Sequence, residues 1–351
     1  MAFLRSTWYA ALWAKDLGPK EILSRKFLDE PVVLYRKPDG GVTALRDVCP
    51  HRHAPLHLGV VRDDGNLQCG YHGLEFDESG TCVRNPHGSG RIPAQACVRA
   101  YPVVERHSLI WIWMGEQAAD PGLIPEFSIL DPESGYQISR RDWLLMEANY
   151  ELITDNLLDL SHTAFLHEGI LGSEETIKAD LSMEQNGDQL KVNRLVPDCP
   201  VPGFFDMMYK RNNQKIDLWA DIRWDPPGCM MNDTGVTDPG APRSQGTGIY
   251  GTHFLTPETD RTTYYLFAAA RMNPVSWGEP LDTEIQEKVA DLRRYAFEHQ
   301  DQVMIRGQQR VMDELPADEQ PVLLEIDSGP TRYRRILEKL MRAENEAVAA
   351  E

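Results

Sequence analysis

Residues 149–167 read NYELITDNLLDLSHTAFLH, and both the architecture and the chemistry of the chain turn on them. Asp155, Asp159 and His162 are spaced i, i+4 and i+7, so on a helix they share one face. Leu152, Leu158, Phe165 and Leu166 are expected to supply apolar packing around it. His167 lies five residues beyond His162, about 140° further round an ideal helix, so a regular helix aims the two imidazoles apart. They converge only where the helix bulges or ends between them, and π-bulges often sit at functional sites. An isolated His-x4-His is equally compatible with ordinary surface or core histidines on an amphipathic helix. The residues upstream decide between the two.

There, Cys49-Pro50-His51 is followed by seventeen residues and then Cys69-Gly70-Tyr71-His72, the pattern C-x-H-x17-C-x2-H. Two thiolates and two imidazoles on a pair of short loops make a closed four-ligand metal site. Zinc accepts this donor set. So does a [2Fe–2S] cluster with two Cys on one iron and two His on the other.

The chain has 351 residues, beyond the size at which one core usually suffices, so two domains are expected. Residues 1–118 read as short strands with dense turn signals, including Pro31–Tyr35 and the doubly apolar run Leu109–Met114. Gly115–Glu126 is polar and rich in Pro and Gly, which places the domain boundary there, between 1–118 and 119–351. Gly203–Ala270 is strand-rich again, clearest at Thr247–Leu255 and Thr262–Ala269. A long helical pattern follows, with Ile285, Val289, Leu292 and Ala296 at helical spacing and Thr283-x-x-Gln286 as a capping box. The net charge of −18 disfavours nucleic acid and anionic membrane as partners. No signal peptide or membrane-spanning run is visible, so a cytoplasmic protein is expected. Cys82, Cys97, Cys199 and Cys229 show no disulfide framework and read as free thiols.

Through CPHRHAPL (49–56), CGYHGLEFD (69–77) and DNLLDLSHTAFLH (155–167), the sequence resembles the Rieske non-haem iron oxygenases. Within them it resembles the oxygenase components of vanillate and dicamba O-demethylases, and the resemblance runs essentially end to end. It implies an α+β protein: an N-terminal all-β Rieske domain, then a catalytic domain whose antiparallel sheet is covered by helices (helix-grip, START-like). Cys49, His51, Cys69 and His72 would bind the [2Fe–2S] cluster, and His162 and His167 a mononuclear Fe(II). The chemistry would be oxygenation by dioxygen. A separate flavin and iron–sulfur reductase would draw on NADH or NADPH, since no G-x-G-x-x-G follows a strand here. Hydroxylating the methyl carbon of a methoxylated aromatic acid gives a hemiacetal that collapses to a phenol and formaldehyde. Hydroxylation of a ring or methyl carbon is the alternative; a Rieske electron carrier or a pair of zinc sites are the others.

Two histidines leave a ferrous site short of its carboxylate. Asp301 is the choice, on the late helix between Phe297 and Met304, where a carboxylate on an apolar stripe is costly without a cation. Glu298 and His299 compete, and the family position also points to Asp301. The resemblance implies that Asp159 links His162 to His72 of a partner subunit in a ring-shaped homotrimer, and places Asn156 near the iron. It also matches Asn232 and His253 to positions that contact a substrate carboxylate; near Leu292, where that branch has an aromatic, this chain is aliphatic. His53, His57, His87, His107 and His299 have no assigned role.

Overall fold

In a computed structural model that describes residues 3–316 and 318–350, the chain divides into two units. One holds Arg5–Glu126 with Thr256–Asp260; the other holds Met1–Leu4, Phe127–Leu255 and Arg261–Glu351. A boundary at 118/119 assigns Thr256–Asp260 to the second domain, whereas this turn clusters with the first unit. Thr256 Oγ1 donates to Ala10 O at 2.7 Å and Leu28 N to Pro257 O at 3.0 Å. The sequence TPETD encodes a reversal but not what the reversal packs on.

The first unit contains β1 (Trp8–Trp13), β2 (Ile22–Phe27), β3 (Glu30–Arg36), β4 (Val42–Arg46), β5 (Val60–Val61), β6 (Leu67–Gln68), β7 (Glu75–Phe76), β8 (Cys82–Arg84), β9 (Ala100–Tyr101), β10 (Val103–Arg106) and β11 (Leu109–Trp113). They form three sheets, ordered β1-β11-β10, β2-β3-β4-β9 and β5-β6-β7-β8. β11 is central in its sheet and all five residues are buried, as a strand apolar on both faces requires. Beneath the two cysteine loops, Val33, Tyr35, Leu45, Leu56, Leu67 and Phe76 form a core that includes Cys49 and Cys69.

The second unit contains β12 (Asp142–Met146), α1 (Tyr150–Leu158), β13 (Asp180–Asn186), β14 (Gln189–Pro200), α2 (Gly203–Met208), β15 (Lys215–Asp225), β16 (Cys229–Thr237), β17 (Thr247–Pro257), β18 (Thr263–Met272), α3 (Leu281–Tyr295), α4 (Gln302–Glu314) and α5 (Ser328–Ala350). A single seven-stranded sheet runs β12-β18-β17-β16-β15-β14-β13, the antiparallel sheet of an α+β protein. Phe204, Phe205 and Met208 of α2 and Ile285 and Val289 of α3 pack on Leu218, Val236 and Ile249 of the sheet. α5 docks on α1 and the sheet: Tyr333 Oη donates to Glu151 O at 2.9 Å and its ring lies 5.3 Å from Trp224.

Two local expectations fail. The capping box at Thr283 does not form, because α3 starts at Leu281 after Pro280, which puts Thr283 inside the first turn. Its hydroxyl donates to Glu279 Oε2 at 2.7 Å and Gln286 Nε2 to Ile138 O at 3.0 Å. Sheet structure begins earlier than Gly203, with β13 and β14, and α2 interrupts the strand-rich stretch. In β14 Leu190, Val192, Arg194 and Val196 alternate inward, a period-two pattern carried through an arginine.

Candidate metal centres and substrate cavity

The two cysteine loops share one backbone pattern. Cys49 N donates to Ala54 O at 2.9 Å and Cys49 O accepts from His53 N at 2.9 Å; Cys69 N donates to Leu74 O at 2.8 Å and Cys69 O accepts from Gly73 N at 3.0 Å. Four residues past each cysteine the backbone is left-handed, at His53 (φ 57°) and at Gly73 (φ 69°). His53 is therefore the turn residue of the first loop, a conformation in which His is enriched. His87 Nε2, 2.7 Å from His72 O, braces the second loop, and His57 Nδ1 lies 2.5 Å from Asp47 Oδ2.

Cys49 and Cys69 are each 2 % exposed, while His51 is exposed and His72 half-buried, with ring centroids 4.5 Å apart. Burial pushes the Cys49 thiol up to about 11, with the Cys69 thiol beside it. A metal group that takes both as thiolates relieves that cost. Two buried thiols and two less buried imidazoles are a donor set that would hold a [2Fe–2S] cluster.

In the second unit, α1 ends at Leu158 and Asp159 (φ −109°, ψ 97°) breaks it; a 3₁₀ turn, Leu160–Ala164, follows and ends before His167. The single helical face expected for Asp155, Asp159 and His162 therefore does not form. Asp159 accepts from Ser161 N at 2.9 Å and from Ser161 Oγ at 2.7 Å, the local competition by which Asp ends a helix and caps the next turn. Asp155 turns to Arg334 of α5. Leu152 and Leu158 are buried, but Phe165 is 73 % exposed, because the turn rotates it outward.

The helix end between the two histidines brings their ring centroids to 5.2 Å. The π-helical turn lies elsewhere, at Ala296–Asp301 between α3 and α4, and it presents the carboxylate. Asp301 Oδ1 is 3.1 Å from His167 Nε2 and 3.6 Å from His162 Nε2, and the three ligand atoms lie within 4.8 Å of one another. Phe297 is buried as expected beside Asp301, but Met304 is 60 % exposed, since the wide turn shifts the phase of the stripe. The competitors are engaged elsewhere: Glu298 accepts from Arg294 at 2.8 Å and the His299 ring lies against Tyr295.

Each imidazole is held from behind by an oxygen that can only accept. His162 Nδ1 is 2.6 Å from Asp159 O, and His167 Nδ1 is 2.8 Å from Gln300 Oε1. Nδ1 therefore carries the proton on both rings, and both Nε2 lone pairs face Asp301. Burial holds His162 below the usual imidazole value. In His167 burial is the largest influence and acts the same way, but the contact and charge of Asp301, together with Gln300, outweigh it and raise the ring. Asn156 Nδ2 donates to Asp301 Oδ1 at 3.2 Å. A carboxylate 4 % exposed, facing two lone pairs, is a costly arrangement that a cation resolves, and the donor set is the 2-His-1-carboxylate triad suited to Fe(II).

Asn156, His162, His167, Asn232, His253 and Asp301 line one cavity of about 110 Å³. Its apolar lining includes Phe204 and Phe205 of α2, Leu218, Ile249, Leu292 and Phe297. The aromatic rings thus come from α2 and the π turn, while position 292 is aliphatic. β16 and β17 pair Asn232 with Gly251 and Met230 with His253, which makes Asn232 and His253 diagonal neighbours on one sheet face. His253 Nδ1 is 2.6 Å from Tyr265 Oη. Burial drives His253 well below its usual value and Tyr265 well above its own, so the phenol keeps its proton and donates it to Nδ1. His253 Nε2–H is then left as a donor. Asn232 Oδ1 accepts from Thr234 Oγ1, which leaves the amide N–H groups. Asp159 stands apart from the lining; Arg194, which does line the cavity, donates to it at 3.1 Å.

Sequence reasoning missed Gln300, Arg194, the α2 phenylalanines and Arg293. Arg293 had a signal: it follows Ile285 and Val289 at four-residue steps, a buried stripe where a charge is out of place.

Residues 7–102 match the family described as Rieske [2Fe-2S] domain, and residues 146–343 that described as vanillate O-demethylase oxygenase C-terminal domain. The oxygenase component of dicamba O-demethylase from Stenotrophomonas maltophilia is 36% identical, over 98% of this chain and 99% of that protein. The iron–sulfur subunit of a toluene-4-sulfonate monooxygenase system from Comamonas testosteroni is 35% identical, over 99% of each. The crystal structure of dicamba monooxygenase with non-heme iron and dicamba superposes with a TM-score of 0.83 at 36% identity, over 100% of both chains.

Proposed function

The chain belongs to the vanillate O-demethylase branch of the Rieske non-haem iron oxygenases, and from that premise we propose that it O-demethylates a methoxylated aromatic acid, a vanillate-like benzoate. It is the oxygenase component of a monooxygenase system and takes its electrons from a reductase. When bound, the cluster and the mononuclear iron supply electron delivery and dioxygen activation. The balance is aryl methyl ether, dioxygen, two electrons and two protons giving phenol, formaldehyde and water. The reductase of this reading carries a flavin and an iron–sulfur cluster and is fed by NADH or NADPH.

One observation carries the reading: His162 Nε2, His167 Nε2 and Asp301 Oδ1 converge on the wall of an apolar cavity of about 110 Å³. In this reading His162, His167 and Asp301 hold the iron, and Asn156 steadies the Asp301 oxygen. Asp159 O and Gln300 Oε1 keep the ring protons on Nδ1, so that Nε2 stays free to ligate. Cys49, His51, Cys69 and His72 hold the cluster. The apolar walls exclude water, and Asn232 and His253 bind the substrate carboxylate, which directs the methoxy group toward the metal.

Asp159 is assigned the electron path to His162 from His72 of the partner subunit, in a homotrimer. Its carbonyl on His162 Nδ1 and a carboxylate side chain left 19% exposed support this. A cytoplasmic site of action follows from dependence on nicotinamide-fed electrons, and no helix among the described residues is long and apolar enough to cross a membrane.

The test is formaldehyde release from a panel of methoxybenzoates with a reductase supplied. No formaldehyde from any of them, with both metal centres loaded, refutes the reading. The toluene-4-sulfonate relative favours a second reading, hydroxylation of an aryl methyl carbon. Formation of 4-hydroxymethylbenzoate from 4-methylbenzoate, without formaldehyde from methoxybenzoates, would select it.

A further inference from the structure

Arg293 on α3 is only 7 % exposed and lines the cavity. Its Nη2 has no hydrogen-bond partner, and among the described residues no carboxylate pairs with it. Its guanidinium lies 5.5 Å from the Phe297 ring centroid and 5.8 Å from that of Phe267. Aromatic faces offset part of the cost of burying a cation but do not replace an anion. Burial pulls Arg293 down to about 10, which leaves it cationic at neutral pH.

The space facing this cation is unfilled because residue 251 is glycine. A Cβ there would stand 3.3 Å from Arg293 Nη2, 3.3 Å from His253 Nε2 and 3.7 Å from Asn232 Cβ. Three donor-bearing side chains from α3, β16 and β17 are thus the nearest neighbours of one small space beside Gly251, and among the described residues outside its chain neighbours none comes closer than 3.3 Å to its centre at the Cβ position.

We infer that Arg293 is the cationic member of a three-donor clamp over Gly251 that takes the acid group of an aryl carboxylate or sulfonate. The inference rests on the aromatic-acid reading and goes beyond it in naming the charge that reads the acid. A guanidinium N–H, an imidazole N–H and an amide N–H suit an oxyanion and have no use for a neutral ether or methyl group. A carboxylate and a sulfonate present the same negative oxygens, so either source fits.

The test is calorimetric binding to the metal-loaded protein, anaerobically and without reductase, with 4-methoxybenzoate, 4-methoxybenzenesulfonate and neutral 4-methylanisole as probes. The wild type is expected to prefer the anions. Arg293→Gln should weaken them on the order of 10- to 150-fold, the usual loss of a hydrogen bond to a charged group, and leave 4-methylanisole unchanged. Arg293→Lys should keep most of the anion affinity. Dependence of one anion alone on Arg293 identifies which acid the clamp takes. Equal weakening of all three probes means that Arg293 only packs on its aromatic neighbours, and overturns the clamp. A wild-type preference for anions that survives in Arg293→Gln overturns the clamp while leaving the aromatic-acid reading intact; a wild type without any such preference overturns both. Should Arg293→Gln fail to fold, Gly251→Ala puts a methyl group into the same space and keeps the charge. It should lose anion affinity at near wild-type melting temperature, and unchanged anion affinity defeats the proposal.

Discussion

Gln300 holds His167 from behind: its Oε1 lies 2.8 Å from His167 Nδ1 while its Nε2 donates to Leu166 O at 2.8 Å. The amide is thereby oriented by one bond and fixes the imidazole tautomer with the other. Its chain neighbour Asp301 meets the opposite nitrogen of the same ring at 3.1 Å, so the π turn grips His167 on both sides.

Gln300→Leu should leave the cluster's absorption intact and weaken retention of the mononuclear iron roughly 10- to 100-fold, the usual cost of losing a partner behind a ligating histidine. Competition with a graded chelator measures it. Iron retention equal to wild type would show that Leu166 and the turn alone orient the ring.

Asp159→Asn should keep both metal centres and lose turnover under single-turnover conditions, if Asp159 carries the electrons. It should also destabilise the protein, because Arg194 is 6 % exposed and Asp159 is its ion-pair partner. Stranding a buried cation costs about 3–5 kcal/mol. The double variant Asp159→Asn, Arg194→Met should recover the stability but not the turnover, read by urea unfolding beside single-turnover assays. Recovery of both would make the pair a structural device.

Cys69→Ser should abolish the visible absorption of the [2Fe–2S] cluster while the mononuclear site still binds Fe(II), since its ligands lie in the other unit. A wild type that is colourless and holds zinc after anaerobic reconstitution would remove the oxygenase reading altogether.

His253 bears on acid stability. Its folded-state value is depressed well below 6.5, first by burial and then by the Arg293 charge. An unfolded chain takes up that proton near pH 6.5 while the folded one refuses it, so the contribution is fully present above about 6.5 and is lost as pH falls below it. The melting temperature should drop on going from about pH 7.5 to 5.5, and in His253→Phe the drop should be shallower. The variant should also be less stable at neutral pH by about 1–3 kcal/mol, because Tyr265 loses its acceptor. Parallel curves for the two proteins would assign the acid sensitivity to other groups.

What the sequence determined by itself is local chemistry. C-x-H-x17-C-x2-H places four soft and borderline donors on two short loops, and no distant contact is needed to recognise them. The same holds for the requirement that the helix end between His162 and His167, because helical geometry alone forbids their convergence. The buried strand Leu109–Trp113 was legible for a similar reason, since an unbroken apolar run has nowhere else to go. Asp301 could be chosen because a carboxylate on an apolar stripe is costly without a cation.

Tertiary structure decided the rest. That Asp159 takes Arg194 as its partner depends on β14 arriving beside it. That the π turn belongs to Ala296–Asp301 depends on α3 and α4 packing so that an extra residue turns Gln300 and Asp301 toward His167. The meeting of Asn232, Gly251, His253 and Arg293 needs the β16–β17 register together with a helix some forty residues further on. For Asn232, Gly251 and His253 such convergence leaves no periodic trace, because each satisfies its own strand's pattern; Arg293 alone breaks its element's pattern, as a charge on the buried stripe of Ile285 and Val289.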